Sequence, residues 1–423
     1  MLTKAPRGTR DILPEETPLW RELEEILHET CRQYGYEEIR MPVFEHTELF
    51  RRSVGDSTDI VQKEMYTFDD KAGRSLSLRP EGTAGVVRGF IEHGMSSKPM
   101  PVRLYYMITA YRYENVQKGR YREFHQFGAE AFGAVGPEID AELIGMVAVL
   151  LERAGVKRTN LHINSIGCPA CREPYTAKLR AFAADHREVL CETCRQRTET
   201  NPMRILDCKV PSCRGILSEA PVLSEFLCPD CVAHFNALRE RLNGMGIAYC
   251  VDRTIVRGLD YYTRTVFEFV SDSIGAQGTV CAGGRYDGLV EACGGNPVPG
   301  IGFALGMERL LLQRESEGVV WQAPSSRRLF IAHTGPDAIP AAAKLAHDLR
   351  CRGVVTEREL TGRSFKSQMK YAGKDPGGFM LVIGEQEMRT GIGRMKNMAT
   401  GEETEVRLDA EAVAGIWRRE TSG

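Results

Sequence analysis

The chain has 423 residues, of which 42% are hydrophobic and 26% charged, and its 55 basic and 57 acidic side chains leave a net charge of -2. This composition excludes a disordered, collagen-like or small disulfide-stapled chain. Since a typical domain has about 150 residues, the length predicts two or three domains. A near-neutral chain can bind nucleic acid only through a local basic patch. Because the sequence has neither a signal peptide nor an apolar run of about 18 residues, we expect a cytoplasmic protein without membrane contacts.

The hydrophobic pattern of the first 325 residues predicts an α+β fold. Apolar positions at helical spacing predict helices over 16–35 and 138–154, and another from about Leu305. Apolar runs and alternations predict strands over 36–44, 62–69, 74–80, 103–113, 122–133, 248–256 and 262–270. Because hairpin-length loops separate several of these strands, we expect an antiparallel sheet flanked by helices.

Two regions differ from this sheet pattern. Residues from about 165 to 240 are cysteine-rich, charged and mostly helical by pattern, which indicates an insertion into the sheet domain. A linker over 313–327 precedes alternating strands and helices, which predict a small α/β domain with a partly parallel sheet. We therefore expect one domain over 1–325, insertion included, and a second over 327–423.

Eight of the 13 cysteines lie in this insertion, in three Cys-x-x-Cys pairs and one looser pair: Cys168 and Cys171, Cys191 and Cys194, Cys208 and Cys213, Cys228 and Cys231. Cys-x-x-Cys spacing suits structural zinc, which takes four thiolates in a tetrahedron, so eight cysteines could form two sites. The pairing stays open, and free thiols in a small helical lobe are the alternative. We expect the other five cysteines, which include Cys250 and Cys351, to be buried as small apolar residues.

The segment 103–133 is the richest in chemistry. Arg112 ends an apolar strand, a polar loop follows, and the next strand carries Gln126 and Glu130. The planar guanidinium of arginine suits phosphate, and the loop places Lys118, Arg120 and Arg122 around Tyr121, a pattern typical of nucleic-acid contacts. An ordinary hairpin with a solvated loop is the alternative for the loop taken alone.

Four shorter segments add polar groups beside glycine or tyrosine. The turn at Glu81 and Thr83 offers a carboxylate and a hydroxyl that could hold an ammonium group. The segment 256–264 sets two tyrosines beside arginine and aspartate, and 277–288 contains paired glycines that permit close approach of a ligand. The segment 300–309 runs from a glycine-rich strand into a helix whose first turn offers Arg309.

Together these segments resemble the class II aminoacyl-tRNA synthetases and, within that class, the histidyl-tRNA synthetase family. The resemblance covers essentially the whole chain: the opening at 7–14, class II motif 1 at 41–56, motif 2 at 103–132, motif 3 at 300–311, and two histidine-specific signatures at 256–262 and 281–288. The loop reads Glu114-Asn115-Val116-Gln117 where many relatives have Arg-Pro before the glutamine, although Arg112, Glu114 and Gln117 match.

The resemblance implies ATP-dependent activation of L-histidine to histidyl-adenylate and its transfer to the 3′ end of tRNA(His), with Mg²⁺ on the phosphates and a homodimer formed through motif 1. It implies catalytic roles for Arg257 and Arg112 and ATP binding by Arg112, Glu114 and Arg309. It assigns histidine binding to Glu81, Thr83, Gln126, Glu130, Tyr261 and Tyr262, and the tRNA acceptor end to Gln117, Arg120 and Arg122. The domain from about 327 resembles the anticodon-binding domain.

Two other functions are alternatives to this one. A regulatory paralogue that binds histidine and acts on histidine biosynthesis typically lacks the catalytic arginine, the basic motif 2 loop and the C-terminal domain, all of which this sequence contains. A zinc-dependent nucleic-acid-binding module would explain only the cysteine-rich insertion.

Overall fold

A computed structural model describes residues 3–56, 58–208, 210–255, 261–271, 278–319, 327–375 and 377–421. The chain forms two compact units, Met1–Val320 and Trp321–Gly423. Within the described ranges, every helix is too short or too polar to cross a lipid bilayer.

The first unit is built on eleven strands and ten α-helices among its described residues. The strands are β1 (Glu37–Glu38), β2 (Phe44–His46), β3 (Thr67–Asp69), β4 (Ser75–Leu78), β5 (Val102–Tyr111), β6 (Glu123–Phe132), β7 (Thr159–Ser165), β8 (Cys250–Val251), β9 (Thr263–Ser271), β10 (Thr279–Arg285) and β11 (Gly300–Gly306). The helices are α1 (Thr17–Gln33), α2 (Thr47–Val54), α3 (Thr83–Glu92), α4 (Pro137–Arg153), α5 (Pro169–Asp185), α6 (Glu192–Thr200), α7 (Pro211–Leu217), α8 (Pro229–Gly244), α9 (Leu289–Ala292) and α10 (Met307–Ser316).

Eight of these strands form one sheet in the order β1-β5-β6-β11-β10-β9-β7-β8. The six inner strands pair antiparallel, and the two short edge strands pair parallel to their neighbours. The apolar faces of α1 and α4, which include Leu23, Leu27 and Val147, are fully buried in a core that also holds Phe267 and Phe303 of the sheet. The predicted antiparallel sheet flanked by helices is confirmed.

A small sheet, β2-β4-β3, lies beside the large one and is tied to it by a buried arginine. Arg79 donates hydrogen bonds to the carbonyl oxygens of Met41 at 2.8 Å and Thr109 at 2.7 Å. Two aromatic side chains of this small sheet are exposed: Phe44 is 51% exposed and Phe68 is 44% exposed. Their ring centroids lie 6.4 Å apart.

The cysteine-rich insertion consists of α5 to α8 and leaves the sheet between β7 and β8, as its pattern predicted. A buried polar network attaches its last helix to the sheet. His234 of α8 contacts the Asp140 carboxylate of α4 at 2.8 Å, and the guanidinium of Arg285 on β10 donates to the same carboxylate at 2.5 Å. All three side chains are buried.

The second unit has a five-stranded sheet in the order β13-β12-β14-β15-β16. The strands β12, β13 and β14 are parallel, and β15 and β16 extend the sheet antiparallel, so a partly parallel sheet is confirmed. Its elements are β12 (Leu329–His333), α11 (Ala338–Arg350), β13 (Thr356–Arg358), α12 (Phe365–Ala372), β14 (Phe379–Ile383), α13 (Glu385–Thr390), β15 (Ile392–Asn397), β16 (Glu403–Arg407) and α14 (Ala410–Thr421).

Several local predictions are wrong. The strand predicted over 36–44 is split into β1 and β2, since Pro42 cannot donate a ladder hydrogen bond. The start of the strand predicted over 62–69 is a π-helical turn, Ile60–Glu64, and α10 extends three residues past the predicted start of the linker, to Ser316. Cys250 and Cys351 are exposed rather than buried.

Candidate active site

A pocket with an empty volume of about 980 Å³ lies on the large sheet, between the beginning of α3 and the beginning of α10. Most of the predicted site residues line it: Glu81, Thr83, Arg112, Glu114, Arg120, Gln126, Glu130, Tyr261, Tyr262 and Arg309. They come from separate parts of the sequence, and the sheet brings them together. Arg257 lies outside the described residues.

The floor of the pocket depends on the pairing of β6 with β11. Glu130 of β6 stands opposite Gly302 of β11, and Gln126 stands opposite Gly306. A Cβ atom on Gly302 would lie 1.7 Å from a carboxylate oxygen of Glu130, so glycine leaves the space that the Glu130 side chain occupies.

Glu130 is 1% exposed and accepts hydrogen bonds from three hydroxyl groups. Thr83 Oγ1 donates at 2.7 Å and Tyr106 Oη at 3.4 Å to one oxygen, and Tyr286 donates to the other. Burial raises the pKa of Glu130 to about 8, although these hydrogen bonds act in the opposite direction. Among the described residues, the hydrogen-bond partners of the Glu130 carboxyl are hydroxyl groups and not cations.

The neighbouring carboxylate of Glu81 caps α3. Its oxygens accept the main-chain N–H groups of Thr83 at 2.7 Å and Ala84 at 2.8 Å, and burial raises its pKa. The side-chain oxygen of Gln126 accepts the N–H of Gly82 at 2.9 Å, which fixes the same turn to β6. These bonds hold both polar side chains at the pocket wall.

Aromatic rings close this end of the pocket. The rings of Tyr261 and Tyr262 lie 4.6 Å apart, and Tyr261 meets the edge of Tyr286 at 5.6 Å. Tyr286 also lines the pocket and was not among the predicted site residues. Its sequence signal was its place two residues after the paired glycines Gly283 and Gly284.

The opposite end of the pocket is cationic. Arg112 donates from Nε to the carbonyl oxygen of Pro80 at 2.8 Å, and Arg309 donates to the carbonyl oxygens of Thr279 at 3.1 Å and Gly119 at 3.3 Å. Burial, with repulsion from Arg120 and Arg112, lowers the pKa of Arg309 from its usual value. Clustered guanidinium groups of this kind favour a polyanionic ligand.

Two buried carboxylates lie beside these arginines. Glu114 pairs with Arg120 and lies 3.9 Å from the guanidinium of Arg112. Glu308, which sequence analysis missed, accepts the main-chain N–H of His125 at 2.9 Å and contacts its Nδ1 at 2.8 Å. The partner of Glu308 is 183 residues away, so local sequence gave no sign of the pair.

The loop between β5 and β6 forms a tight turn in which Gln117 and Arg120 exchange two main-chain hydrogen bonds, at 3.1 and 2.9 Å. The guanidinium of Arg122 lies 3.7 Å from the ring centroid of Tyr113. The main-chain N–H of Arg122 donates to the carbonyl oxygen of Gly8 at 2.8 Å. Gln117 and Arg122 thus lie on the loop at the mouth of the pocket, whereas Arg120 lines the pocket itself.

The eight predicted metal-binding cysteines form two groups of four. The first cluster is Cys168, Cys171, Cys228 and Cys231, and the second cluster is Cys191, Cys194, Cys208 and Cys213. Within each cluster the sulfur atoms lie within 4.8 Å of one another. In the first cluster, Cys168 Sγ lies 3.5 Å from that of Cys171 and 3.9 Å from that of Cys228, and in the second cluster the sulfur atoms of Cys191 and Cys208 lie 3.9 Å apart.

These distances fit a tetrahedron of thiolates, because Zn–S bonds of about 2.3 Å separate sulfur atoms by about 3.8 Å. Main-chain N–H groups point at two of the sulfur atoms: that of Cys228 donates to Cys171, and that of Cys191 to Cys213, both at 3.1 Å. Burial opposes ionisation of Cys168, but hydrogen bonds from neighbouring groups outweigh it and lower its pKa to about 7, whereas burial raises the pKa of Cys171 and Cys231 in the same cluster, so it is the geometry of the sulfur atoms that indicates a metal site. Both clusters therefore suit a thiophilic cation.

Two family models match the chain. One, for histidyl-tRNA synthetase, covers residues 8–170 and 213–310, and the other, for an anticodon binding domain, covers 329–416. The histidine–tRNA ligase of Acetivibrio thermocellus is 58% identical over 409 residues, which are 97% of this chain and 98% of that protein. The histidine–tRNA ligase of Clostridioides difficile is 49% identical over 409 residues, 96% of this chain and 97% of that protein.

Solved structures agree with these matches. The apo histidyl-tRNA synthetase of Staphylococcus aureus has a TM-score of 0.83 and 40% identity and covers 98% of this chain and 99% of its own. A Bacillus halodurans structure described as an ATP phosphoribosyltransferase regulatory subunit/histidyl-tRNA synthetase has a TM-score of 0.64 and 23% identity, with 91% and 98% coverage, and that likeness shows the fold alone. On the family match and on relatives that share most of its length, the chain belongs to the histidyl-tRNA synthetase family, as its motifs predicted.

Proposed function

We propose that this chain is a histidine–tRNA ligase, which activates L-histidine with ATP and transfers it to the 3′ end of tRNA(His). One observation carries the proposal: a single pocket has a cationic end at Arg112 and Arg309 and a buried carboxyl group among tyrosines at the other. ATP and histidine need these two environments. We expect the reaction to take place in the cytoplasm.

In the activation step, a carboxylate oxygen of histidine forms a bond to the α-phosphorus of ATP, and the bond from that phosphorus to the bridging oxygen breaks to release pyrophosphate. Because both reactants are anions, cations at the phosphates lower the barrier by holding the geometry and stabilising the developing charge. We assign the α-phosphate to Arg112, the γ-phosphate to Arg309 and the adenine to Glu114. Arg257 is the further arginine that we expect at the α-phosphate.

We assign recognition of the imidazole N–H to Glu130 and Tyr262, with Tyr261 beside them. We assign the α-amino and carboxylate groups of histidine to Glu81, Thr83 and Gln126. A buried polar group that needs a matching N–H rejects an amino acid without one by about 10⁴ or more, because the group would then be left unpaired. The buried state of Glu130 supports strict selection of histidine.

We expect ATP to bind in this pocket together with Mg²⁺. Carboxylate oxygens are the protein ligands that Mg²⁺ prefers, and Glu308 at the cationic end of the pocket would supply them, so the donor set fits. When bound, Mg²⁺ neutralises charge on the phosphates.

We assign the transfer step to the β5–β6 loop and the second unit. Gln117 and Arg122 offer amide and guanidinium donors on the loop beside the pocket, and Arg120 lines the pocket, so we expect the tRNA acceptor end to enter here. We assign residues 327–423 to anticodon binding, a proposal that the family match over 329–416 supports. Residues 1–325 are the proposed catalytic domain.

We propose a homodimer formed through the segment 41–56. The exposed rings of Phe44 and Phe68 on the small sheet support this, since a monomer would leave that apolar surface in water. Sedimentation of the protein at micromolar concentration should give the mass of a dimer, and Phe44→Asp should shift it to the monomer. A monomeric wild type would refute the assignment.

We also propose that each cysteine cluster binds one structural zinc ion. Elemental analysis of purified protein should then find two zinc ions per chain, one for each cluster. Cys168→Ser should remove one of them, and Cys194→Ser the other. A wild type purified with zinc in the medium that carries none would contradict the proposal.

The activity itself is tested by pyrophosphate–ATP exchange with each of the twenty amino acids. Exchange with L-histidine alone is expected. If a folded protein bound histidine without exchange, the regulatory alternative would replace the ligase. The retained Arg112, Arg309 and second unit, and ligase relatives across nearly the whole chain, argue against that alternative.

A further inference from the structure

We propose that the first cysteine cluster, when it holds its metal, clamps the Tyr262 wall of the histidine pocket, so that loss of the metal weakens histidine binding more than ATP binding. The inference rests on the proposed function and assigns a task to one of the two metal sites. In this role Arg172 is a positioning residue, because it acts on the pocket through the main chain of Tyr262.

The first connection is a main-chain ladder that runs up to the cluster. Ile166 donates its N–H to the carbonyl oxygen of Arg264 at 2.7 Å, and Arg264 donates its N–H to the carbonyl oxygen of Gly167 at 2.9 Å. Cys168 follows directly after Gly167. The strand that begins just after Tyr262 is thus hydrogen-bonded to the residues that lead into the metal ligands.

The second connection is a side chain that leaves the cluster. Arg172 follows Cys171 in the first turn of α5 and donates from Nη1 to the carbonyl oxygen of Tyr262 at 3.0 Å. The Cys168–Cys171 turn therefore holds the Tyr262–Arg264 segment from both sides, through Gly167 before it and Arg172 after it.

The backbone between these anchors is strained. Arg264 has a φ of +50°, a left-handed conformation that is unfavourable for a residue with a Cβ atom. Such a conformation persists only where its surroundings fix it, and here both the N–H and the C=O of Arg264 bind the 166–167 segment. If the turn at the cluster loosens, Arg264 is free to relax and Tyr262 moves with it.

Packing and main-chain contacts both hold this wall, since Tyr262 is buried in the same apolar cluster as Ile166 and Val266. A second cavity, with an empty volume of about 1120 Å³, is lined by Cys168, Arg172, Arg264 and Tyr261 on the side of the cluster. On the pocket side, a Cβ at Gly284 would lie 2.9 Å from the ring of Tyr262, so the ring rests directly on that backbone. The main-chain anchors therefore act together with this packing, and the cavity on the side of the cluster leaves room for the wall to shift when the anchors loosen.

The same helix supplies a matched control. Arg180 of α5 also donates to main-chain carbonyl oxygens, those of Thr198 at 3.3 Å and Glu199 at 3.4 Å, on the helix that begins beside Cys191 of the second cluster. Arg180→Ala removes the same kind of contact from the same helix. The contacts that it removes are with Thr198 and Glu199 and not with Tyr262.

The experiment compares wild type, Arg172→Ala, Arg172→Lys and Arg180→Ala as full-length proteins. Each is assayed for zinc content, for histidine affinity by calorimetry, and for the KM of histidine and of ATP in pyrophosphate exchange. We expect Arg172→Ala to keep its zinc, to bind histidine about 10-fold more weakly and to change the KM of ATP by less than about 2-fold. Arg172→Lys should recover part of the loss, and Arg180→Ala should match wild type.

Removal of metal tests the other half of the clamp. Cys228→Ser, which retains the second cluster, should show the same selective rise in the KM of histidine. The inference is overturned if Arg172→Ala binds histidine as wild type does, or if both KM values rise in parallel after metal loss. A wild type without histidine-dependent exchange would refute the proposed function and this inference together, whereas an active wild type with an unaffected Arg172→Ala would refute the clamp alone.

Discussion

At the scale of single residues, Glu130 is a carboxyl group that the pocket keeps protonated near neutral pH. Burial raises its pKa to about 8 from an ordinary 4.5, and the hydroxyl groups of Tyr106 and Tyr286 that face it have pKa values raised well above their usual range. These phenols remain donors while Glu130 titrates. Protonated Glu130 therefore contributes to the free energy of unfolding of the ligand-free protein. This contribution is complete below about pH 4.5 and is lost as the pH rises through about 8.

Histidine binding should have the opposite dependence. An imidazole N–H needs an acceptor, and the ionised fraction of Glu130 increases roughly 8-fold between pH 7 and 8.5 if its pKa is about 8. We expect the affinity for histidine to rise by a similar factor over this range. Glu130→Gln should bind about 10- to 100-fold more weakly and without this pH dependence.

Calorimetric titration at several pH values measures both effects. Glu152→Gln, which alters an exposed carboxyl of α4, should behave as wild type. If wild type and Glu130→Gln had parallel pH profiles, Glu130 would not be the titrating group.

Gly302 gives a second prediction at this scale. A methyl group there would lie 1.7 Å from the Glu130 carboxylate and 2.8 Å from the carbonyl oxygen of Ala129. Gly302→Ala should therefore cost about 1–3 kcal/mol of unfolding free energy through overpacking, and the displaced Glu130 should bind histidine less well. Urea unfolding and histidine-dependent exchange measure the two losses.

Gly288→Ala is the control, since a Cβ there meets no atom within 4 Å. It should leave both stability and exchange near the wild-type values. If Gly302→Ala and Gly288→Ala behaved alike, β11 could move away from β6 without loss of stability or activity. The close approach of Gly302 to Glu130 would then not be needed for function.

At the scale of elements, the β5–β6 loop separates two tasks. Arg112 at its start contacts the pocket wall, whereas Gln117 is in the turn at its tip. Gln117→Ala should thus slow transfer of histidine to tRNA about 10-fold and change pyrophosphate exchange by less than about 2-fold.

Single-turnover transfer from preformed adenylate isolates the second step. Gln33→Ala, an exposed change on α1, should affect neither step. Equal losses in exchange and transfer would remove Gln117 from the acceptor end.

Elements with a clear period could be predicted from sequence, and elements made by long-range contacts could not. The apolar alternation of β5 and β6 and the one-sided pattern of α4 were sufficient to place them. In contrast, α3 was missed because it is buried on nearly every side and so shows no polar face. The turn at Ile60–Glu64 contains ordinary strand formers, and only its surroundings make it helical.

The site shows the same division. Motifs predicted ten residues that line one pocket, since each motif carries its own chemistry in a short segment. Tyr286 and Glu308 were missed because their partners, Glu130 and His125, reach them only through the pairing of strands. Which cysteines join in a cluster was equally undetermined, because Cys168 and Cys228 are 60 residues apart in sequence.

At the scale of the whole molecule, the two units divide the proposed reaction. The second unit has 16 basic and 13 acidic residues over 327–423, and it exposes apolar side chains beside cations: Leu360 is 70% exposed, and Phe365 precedes Lys366. Such a surface suits stacked bases and phosphates.

Deletion of residues 327–423 should leave histidine-dependent pyrophosphate exchange within about 2-fold of wild type, because the pocket lies entirely in the first unit. Charging of tRNA(His) at low tRNA concentration should fall by about 10²-fold or more, since phosphate contacts dominate nucleic-acid affinity. Unchanged charging would contradict the anticodon-binding assignment.

The buried network of Arg285, Asp140 and His234 couples the unfolding of the cysteine-rich insertion to the unfolding of the large sheet. If α8 unfolded alone, the buried carboxylate of Asp140 would lose one of its two partners, which is a costly arrangement in a protein interior. The first unit should therefore melt cooperatively, as one endotherm in scanning calorimetry. Removal of the proposed zinc ions should shift that whole endotherm to lower temperature, so the lifetime of the entire first unit would then depend on the supply of metal.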